Sequence, residues 1–163
     1  VDGDGEDDYA IAAPGHDEAR GRVYVITGEA PALAAIAAGD GGFAIDGERP
    51  GDSIAAVART GDLDGDGLDD LLVGAFRAGD GGRAYVVWGG AIDRVALADV
   101  AQGRGGFAIA GATGELTGRA LAGGVDLDGD DIAELVLGSV GADDRGDYTG
   151  RVDRIDGRAA ACE

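Results

Sequence analysis

Apolar positions along this chain fall in short runs broken by glycine and aspartate. Ile54–Ala58, Leu71–Phe76, Arg83–Trp88 (RAYVVW) and Phe107–Ala110 predict four strands, because short β-branched and apolar runs bounded by turn residues fit extended structure. The spacers between them, GERPGD from Gly47 and AGDGG from Ala78, are turn-like. Pro31–Ala38 and its counterpart Ala91–Ala101 are the least regular pieces, each too short and too glycine-flanked for more than a helical turn.

The pattern repeats. Gly41–Gly67 (GGFAIDGERPGDSIAAVARTGDLDGDG) returns as Gly105–Asp131 (GGFAIAGATGELTGRALAGGVDLDGDD), with Phe43 and Asp62 recurring 64 residues on as Phe107 and Asp126. VDGDGEDDYAIAAP from Val1 aligns with LDGDGLDDLLVGAF from Leu63 at a spacing of 62. A second element, GRVYVITG at Gly21, recurs as GRAYVVWG at Gly82 and GRVDRIDG at Gly150. Four short strands per unit of about 60 residues, with no long helix, predict one propeller blade per repeat. Small residues in Ile54–Ala58 and Ala120–Gly124 suit the crowded innermost strands. The expected fold is all-β: blades of four antiparallel strands, about two and a half of them. The boundaries fall at 1–47 (strands two to four), 48–111 (a complete blade) and 112–163 (strands one to three). Sheets left open at both ends imply a larger propeller, completed by more of the parent chain or by other chains.

Composition narrows the function. Of 163 residues 33 are glycine, far above the usual share of about 7%, which suits tight turns and disfavours helices. Thirty-two acidic residues against 13 Lys+Arg give a net charge of −19, which repels a phosphate backbone and excludes an ordinary nucleic-acid surface. No apolar stretch approaches the roughly 18 residues of a membrane span, and Val1-Asp2-Gly3-Asp4 is not a signal peptide. The absence of Met at position 1 leads to the expectation of a processed chain or a piece of a longer one. With one cysteine, Cys162, no disulfide framework forms within the chain.

The candidate chemistry lies in the acidic loops. Asp62, Asp64 and Asp66 occupy alternate positions of a tight turn, and Asp70 closes it at the ninth place. Short carboxylates at that spacing converge on one side, as a hard cation with six to eight oxygen ligands requires. Gly67 permits the bend, and the Leu68 carbonyl can turn inward. An EF-hand would need a bidentate Glu at position twelve followed by a helix. Val73, Leu137 and Ile11 stand there instead, within strand-like runs, and the same test disfavours a dockerin-type module. The third loop carries Asp126, Asp128, Asp130, the Ile132 carbonyl and Glu134, with Asp131 replacing the glycine. The first keeps Asp2, Asp4, the Glu6 carbonyl and Asp8, but its first ligand would precede Val1. Four carboxylates in nine residues repel one another unless a cation neutralises them.

DLDGDGLDDLLVGAF, the following GRAYVVWGG and the preceding GFAIDGERPGDSIA together resemble the FG-GAP repeat. That repeat builds the seven-bladed propeller of integrin α subunits and occurs in many bacterial extracellular proteins. The resemblance implies calcium at loops 62–70 and 126–134, with the residues just named as ligands, and at the incomplete loop 1–8. It implies a secreted or cell-surface protein whose calcium is structural. Its partners would be the remaining blades and an extracellular protein or glycan ligand, docked through loops opposite the metal loops. The expected role is an interaction or adhesion scaffold. The alternatives are an accessory or carbohydrate-binding propeller of a secreted hydrolase, or a structural subunit that completes a propeller by oligomerisation. The name-giving FG and GAP elements are degenerate: Gly74–Phe76 and Ala12–Pro14 stand for GAP, Ser53-Ile54 or Thr117-Gly118 for FG.

No enzymatic constellation stands out. His16 lies in a polar turn, Ser53 and Ser139 lack a nucleophile-elbow context, and a Cys162–His16 pair would need the terminus to cross the domain. Gly103-Arg104-Gly105-Gly106 leads into a strand rather than a phosphate-binding helix. Arg145-Gly146-Asp147 is expected by composition and is taken as a turn. A non-enzymatic protein is expected.

Overall fold

A computed structural model of the chain describes residues 1–28, 32–90, 94–143 and 149–157. Arg145-Gly146-Asp147 and Cys162 lie outside the described residues. Three sheets follow one another along the chain. The first contains β1 (Tyr9–Ala13), β2 (Arg22–Ile26) and β3 (Gly42–Asp46). The second contains β4 (Ile54–Gly61), β5 (Asp70–Ala75) and β6 (Arg83–Val87). A two-residue strand, β7 (Val95–Ala96), precedes β8 (Gly106–Ala110). The third sheet contains β9 (Thr117–Val125), β10 (Glu134–Ser139) and β11 (Arg151–Ile155). The middle sheet runs β4-β5-β6-β8, antiparallel throughout, as expected of a propeller blade.

Successive side chains of a strand point to opposite faces, and the middle sheet buries both. Leu71, Val73 and Ala75 of β5, with Tyr85 and Val87 of β6, pack against Val23, Val25, Phe43 and Ile45 of the first sheet. Leu72, Ala84 and Val86 point the other way, onto Leu135 and Leu137 of the third. That is why β5 and β6, after their first residues Asp70 and Arg83, are apolar without interruption instead of alternating. The outward positions of the flanking sheets stay in solvent, among them Tyr9, Ile11 and Val152.

β7 was not foreseen. It leaves the β6–β8 connection and pairs in parallel with β3 of the preceding sheet, Val95 opposite Ile45 and Ala96 opposite Asp46. Asp46 anchors the junction by accepting from both Arg22 and Arg94. The irregular pieces each contain one helical turn, Leu33–Ile36 and Leu97–Val100, whose Ile36, Leu97 and Val100 are buried. His16–Ala19 is a turn in which Asp17, Glu18 and Ala19 have positive φ. No helix among the described residues is long and apolar enough to cross a membrane.

Direction follows from this order. Residues 62–69 turn from β4 into β5 and residues 126–133 from β9 into β10, both at one end of the sheets. Residues 76–82, between β5 and β6, and 111–116, between β8 and β9, lie at the other end.

Candidate metal centre

Aspartate sets the shape of each acidic loop because its short carboxylate reaches nearby backbone N–H groups. Asp62 accepts from Gly65 at 2.7 Å, Asp66 at 3.1 Å and Gly67 at 3.0 Å, so the backbone wraps around it. Gly65 and Gly67 supply the positive φ, +81° and +92°, that this wrapping needs. Asp64 Oδ1 accepts from Asp66 at 3.2 Å, and Asp66 Oδ1 accepts from Leu68 at 2.8 Å. Asp70, fully buried at the start of β5, accepts from Leu63 through Oδ2 and from Gly89 through Oδ1, each at 2.8 Å. The ninth residue thereby ties the loop to its own beginning and to the end of β6.

The third loop is built alike. Asp126 accepts from Asp128, Gly129, Asp130 and Asp131 at 3.2, 2.6, 3.3 and 2.9 Å. Asp130 accepts from Ile132 at 2.9 Å. Asp131 stands where the second loop has Gly67 and adopts φ +69°, a conformation aspartate tolerates better than most residues. Glu134 Oε2 accepts from Leu127 at 2.6 Å. Its other oxygen, Oε1, is buried without a hydrogen-bond partner.

These bonds gather the carboxylates. One oxygen from each of Asp62, Asp64 and Asp70 lies within 4.8 Å of the others, and the same holds for Asp126, Asp128, Asp130 and Glu134. Asp66 is outside the first group, its Oδ1 engaged with Leu68. Leu68 and Ile132, at the seventh place, donate their N–H groups within the loop and carry the carbonyls expected as ligands. In the first loop Asp4 donates to Asp2 at 3.1 Å and Glu6 to Asp4 at 2.8 Å. Asp8 Oδ2 takes the Val1 ammonium at 2.6 Å, and Asp8 Oδ1 is buried without a partner. Asp2, Asp4 and Asp8 form no such group among the described residues.

The electrostatics of the two gathered loops differ by burial. The Asp126 carboxyl is held below its ordinary value by the N–H groups of Gly129 and Asp131. Burial pushes Asp70 up to about 6, against the N–H groups of Gly89 and Leu63 and with help from the Asp64 and Asp66 charges. A buried acceptor left unpaired costs about 1–3 kcal/mol, so Glu134 Oε1 beside three further carboxylates fits a cation. Both clusters could hold a metal, and an all-oxygen donor set suits a hard one.

One arrangement escaped the sequence reading. Glu48, between β3 and β4, accepts from Arg83 at 2.6 Å and from the Tyr85 hydroxyl at 2.7 Å. Glu115, between β8 and β9, takes Arg151 through both oxygens at 2.6 and 2.9 Å. The available signal was the arginine that follows glycine in GRVYVITG, GRAYVVWG and GRVDRIDG. A model of the FG-GAP repeat family matches residues 55–87, which hold nearly all of β4, the second acidic loop, β5 and β6.

Proposed function

The chain is an FG-GAP repeat protein, and on that premise we propose that it is a calcium-stabilised, integrin-like propeller segment serving as an extracellular interaction or adhesion scaffold. Its blade portions are 1–47, 48–111 and 112–163, and its role is binding rather than catalysis. Calcium would be held by Asp62, Asp64 and Asp70, and by Asp126, Asp128, Asp130 and Glu134, with the Leu68 and Ile132 carbonyls and Asp66 completing the sets. When bound, the ion supplies positive charge that relieves carboxylate repulsion and fixes the turn. The chain's own contribution is the closed loop: Leu63 and Leu127 hold the ninth-place carboxylates, and Asp62 and Asp126 hold the turn. The observation that carries the reading is the buried, unpartnered Glu134 Oε1 inside a four-carboxylate cluster.

Millimolar extracellular calcium suits loops with Kd of about 10⁻⁴–10⁻³ M. Partners would be further blades and an extracellular protein or glycan, docked at the end opposite the acidic loops. Native mass spectrometry from calcium-containing volatile buffer tests the metal directly, with two ions per chain expected. A chain that carries none, and whose melting temperature does not change between calcium and EDTA, sinks the reading.

A further inference from the structure

We infer that the end of the sheets opposite the acidic loops carries a receptor for the carboxylate side chains of an acidic peptide segment, built by Arg77 and Arg119 on Phe76. The inference deepens the scaffold reading and rests on it for the choice of face. Both guanidiniums lie over the Phe76 ring, at 5.3 Å for Arg77 and 4.8 Å for Arg119. Both side chains are exposed, and among the described residues neither guanidinium has a hydrogen bond or ion pair. That is unusual in a chain with 32 acidic residues and 13 Lys+Arg. Among the described residues at this end Arg20 pairs with Asp17, Arg83 with Glu48 and Arg151 with Glu115, whereas Arg49 is exposed without an ion pair but does not lie over the ring.

The repeat does not require this trio. Phe76 and Arg77 correspond to Pro14 and Gly15 in the first copy, and to Val140 and Gly141 in the third. Arg119 is placed by an irregularity. β9 pairs Thr117 with Ser139 and Ala120 with Gly138, leaving Gly118 and Arg119 in a bulge, where β4 has only Ala55. Bulges re-aim side chains. Gly118 makes this one possible by packing directly on the middle sheet. A Cβ on Gly74 would stand 2.0 Å from the Gly118 carbonyl oxygen, and one on Gly118 would stand 2.4 Å from that of Arg83.

An arginine stacked on a ring is held in place while its in-plane N–H donors remain free for carboxylate oxygens. The nearby acids are mostly committed: Asp52 accepts from the Arg49 N–H, and Glu115 grips Arg151. Asp80, in the same turn as Arg77, is exposed. A net charge of −19 disfavours small, highly charged anions. Glutamate side chains place a single negative charge at each guanidinium, and their methylenes can lie along the ring.

The test titrates the full chain with the blocked peptide Ac-Glu-Ala-Glu-amide at low salt, following the arginine Nε–Hε signals by NMR. Ac-Gln-Ala-Gln-amide and inorganic phosphate are the comparison probes, and calcium and EDTA samples run in parallel. Saturable shifts at Arg77 and Arg119 are expected, with Arg77→Gln or Arg119→Gln each lowering the association constant about threefold and higher salt weakening it. Arg104→Gln, at the other end, should change nothing, and melting temperatures verify that each variant is folded. No shift, an equal response to the glutamine peptide, or a response to phosphate alone overturns the receptor. Loss of calcium binding falls on the scaffold reading, whereas peptide shifts that persist in EDTA still support the receptor.

Discussion

Leu127 donates its backbone N–H to Glu134 Oε2 at 2.6 Å, the bond that Leu63 makes with Asp70 at 2.8 Å one repeat earlier. Each loop is therefore closed by its ninth residue whether that residue is aspartate or glutamate. The extra methylene changes what the second oxygen does. In Asp70 it is spent on Gly89, whereas in Glu134 it is buried and free for a cation.

Calcium should raise the stability of the chain through both loops. At about 10 mM, with Kd of about 10⁻⁴–10⁻³ M, each occupied site contributes about 1.4–2.7 kcal/mol. Asp126→Ala should lower the bound count from two ions to one and remove about half of the calcium-induced rise in melting temperature. Calorimetric titration reads the count, and an unchanged count would exclude the third loop as a site.

Acidity should act in opposite directions with and without calcium. Asp70 is raised from 3.8 to about 6 in the folded chain, so its stabilising contribution is complete below 3.8 and is lost as pH rises through about 6. Asp52, also raised by burial, works in the same direction. Lowering the pH from 7 to 5 in EDTA should therefore stabilise the protein, by about 1 kcal/mol from Asp70. Asp46 and Glu115 are lowered by their arginine partners. Their stabilisation is present above ordinary carboxylate values and is lost only as pH falls through their lowered ones. In saturating calcium the ion competes with the proton, and the same acidification should destabilise. Thermal melts at both pH values, with and without calcium, decide it.

Much of this was legible because it is local. Alternate carboxylates followed by glycine specify a turn within nine residues, and β5 and β6 are apolar beyond Asp70 and Arg83 because the middle sheet is covered on both faces. What stayed hidden depends on contacts between parts of the chain far apart in sequence. β7 pairs with β3 across sheets, and Glu48 and Glu115 reach arginines some 35 residues on in their own blade portions from places that do not align. The offset is visible in the backbone: Ser53 and Leu116, at φ +57° and +56°, stand 63 residues apart between landmarks that are 64 apart. One residue dropped from the connection is restored in the β9 bulge, and simple alignment of the repeats passes over both changes.

Removing Glu48 should loosen the junction between the first two sheets. Its carboxylate is the partner of both Arg83 and the buried Tyr85 hydroxyl, whose titration burial pushes upward. Glu48→Ala strands that hydroxyl and should cost about 1–3 kcal/mol. A double-mutant cycle with Arg83→Ala should show coupling, and additive losses would mean that the ion pair carries no stability of its own.

Gly74 and Gly138 occupy the same place in successive repeats, yet alanine should be tolerated only at one of them. At Gly74 an added Cβ would meet the Gly118 carbonyl oxygen at 2.0 Å, backbone of a strand that cannot withdraw without opening the packing of β9 on β5. At Gly138 the nearest atom is the Ala120 Cβ at 3.1 Å, a contact that a shift of a few tenths of an ångström relieves. Neither glycine has a positive φ, so the difference is one of space alone. Gly74→Ala should cost about 1–3 kcal/mol or more, and Gly138→Ala well under that. Gly74→Ala should also displace the β9 bulge and weaken the Arg119 contact with Phe76, whereas Gly138→Ala should leave it in place. Urea denaturation of both variants gives the energies, and the Arg119 Nε–Hε shift reports the contact. Equal losses at the two positions would mean that β9 does not lie against β5 as closely as described.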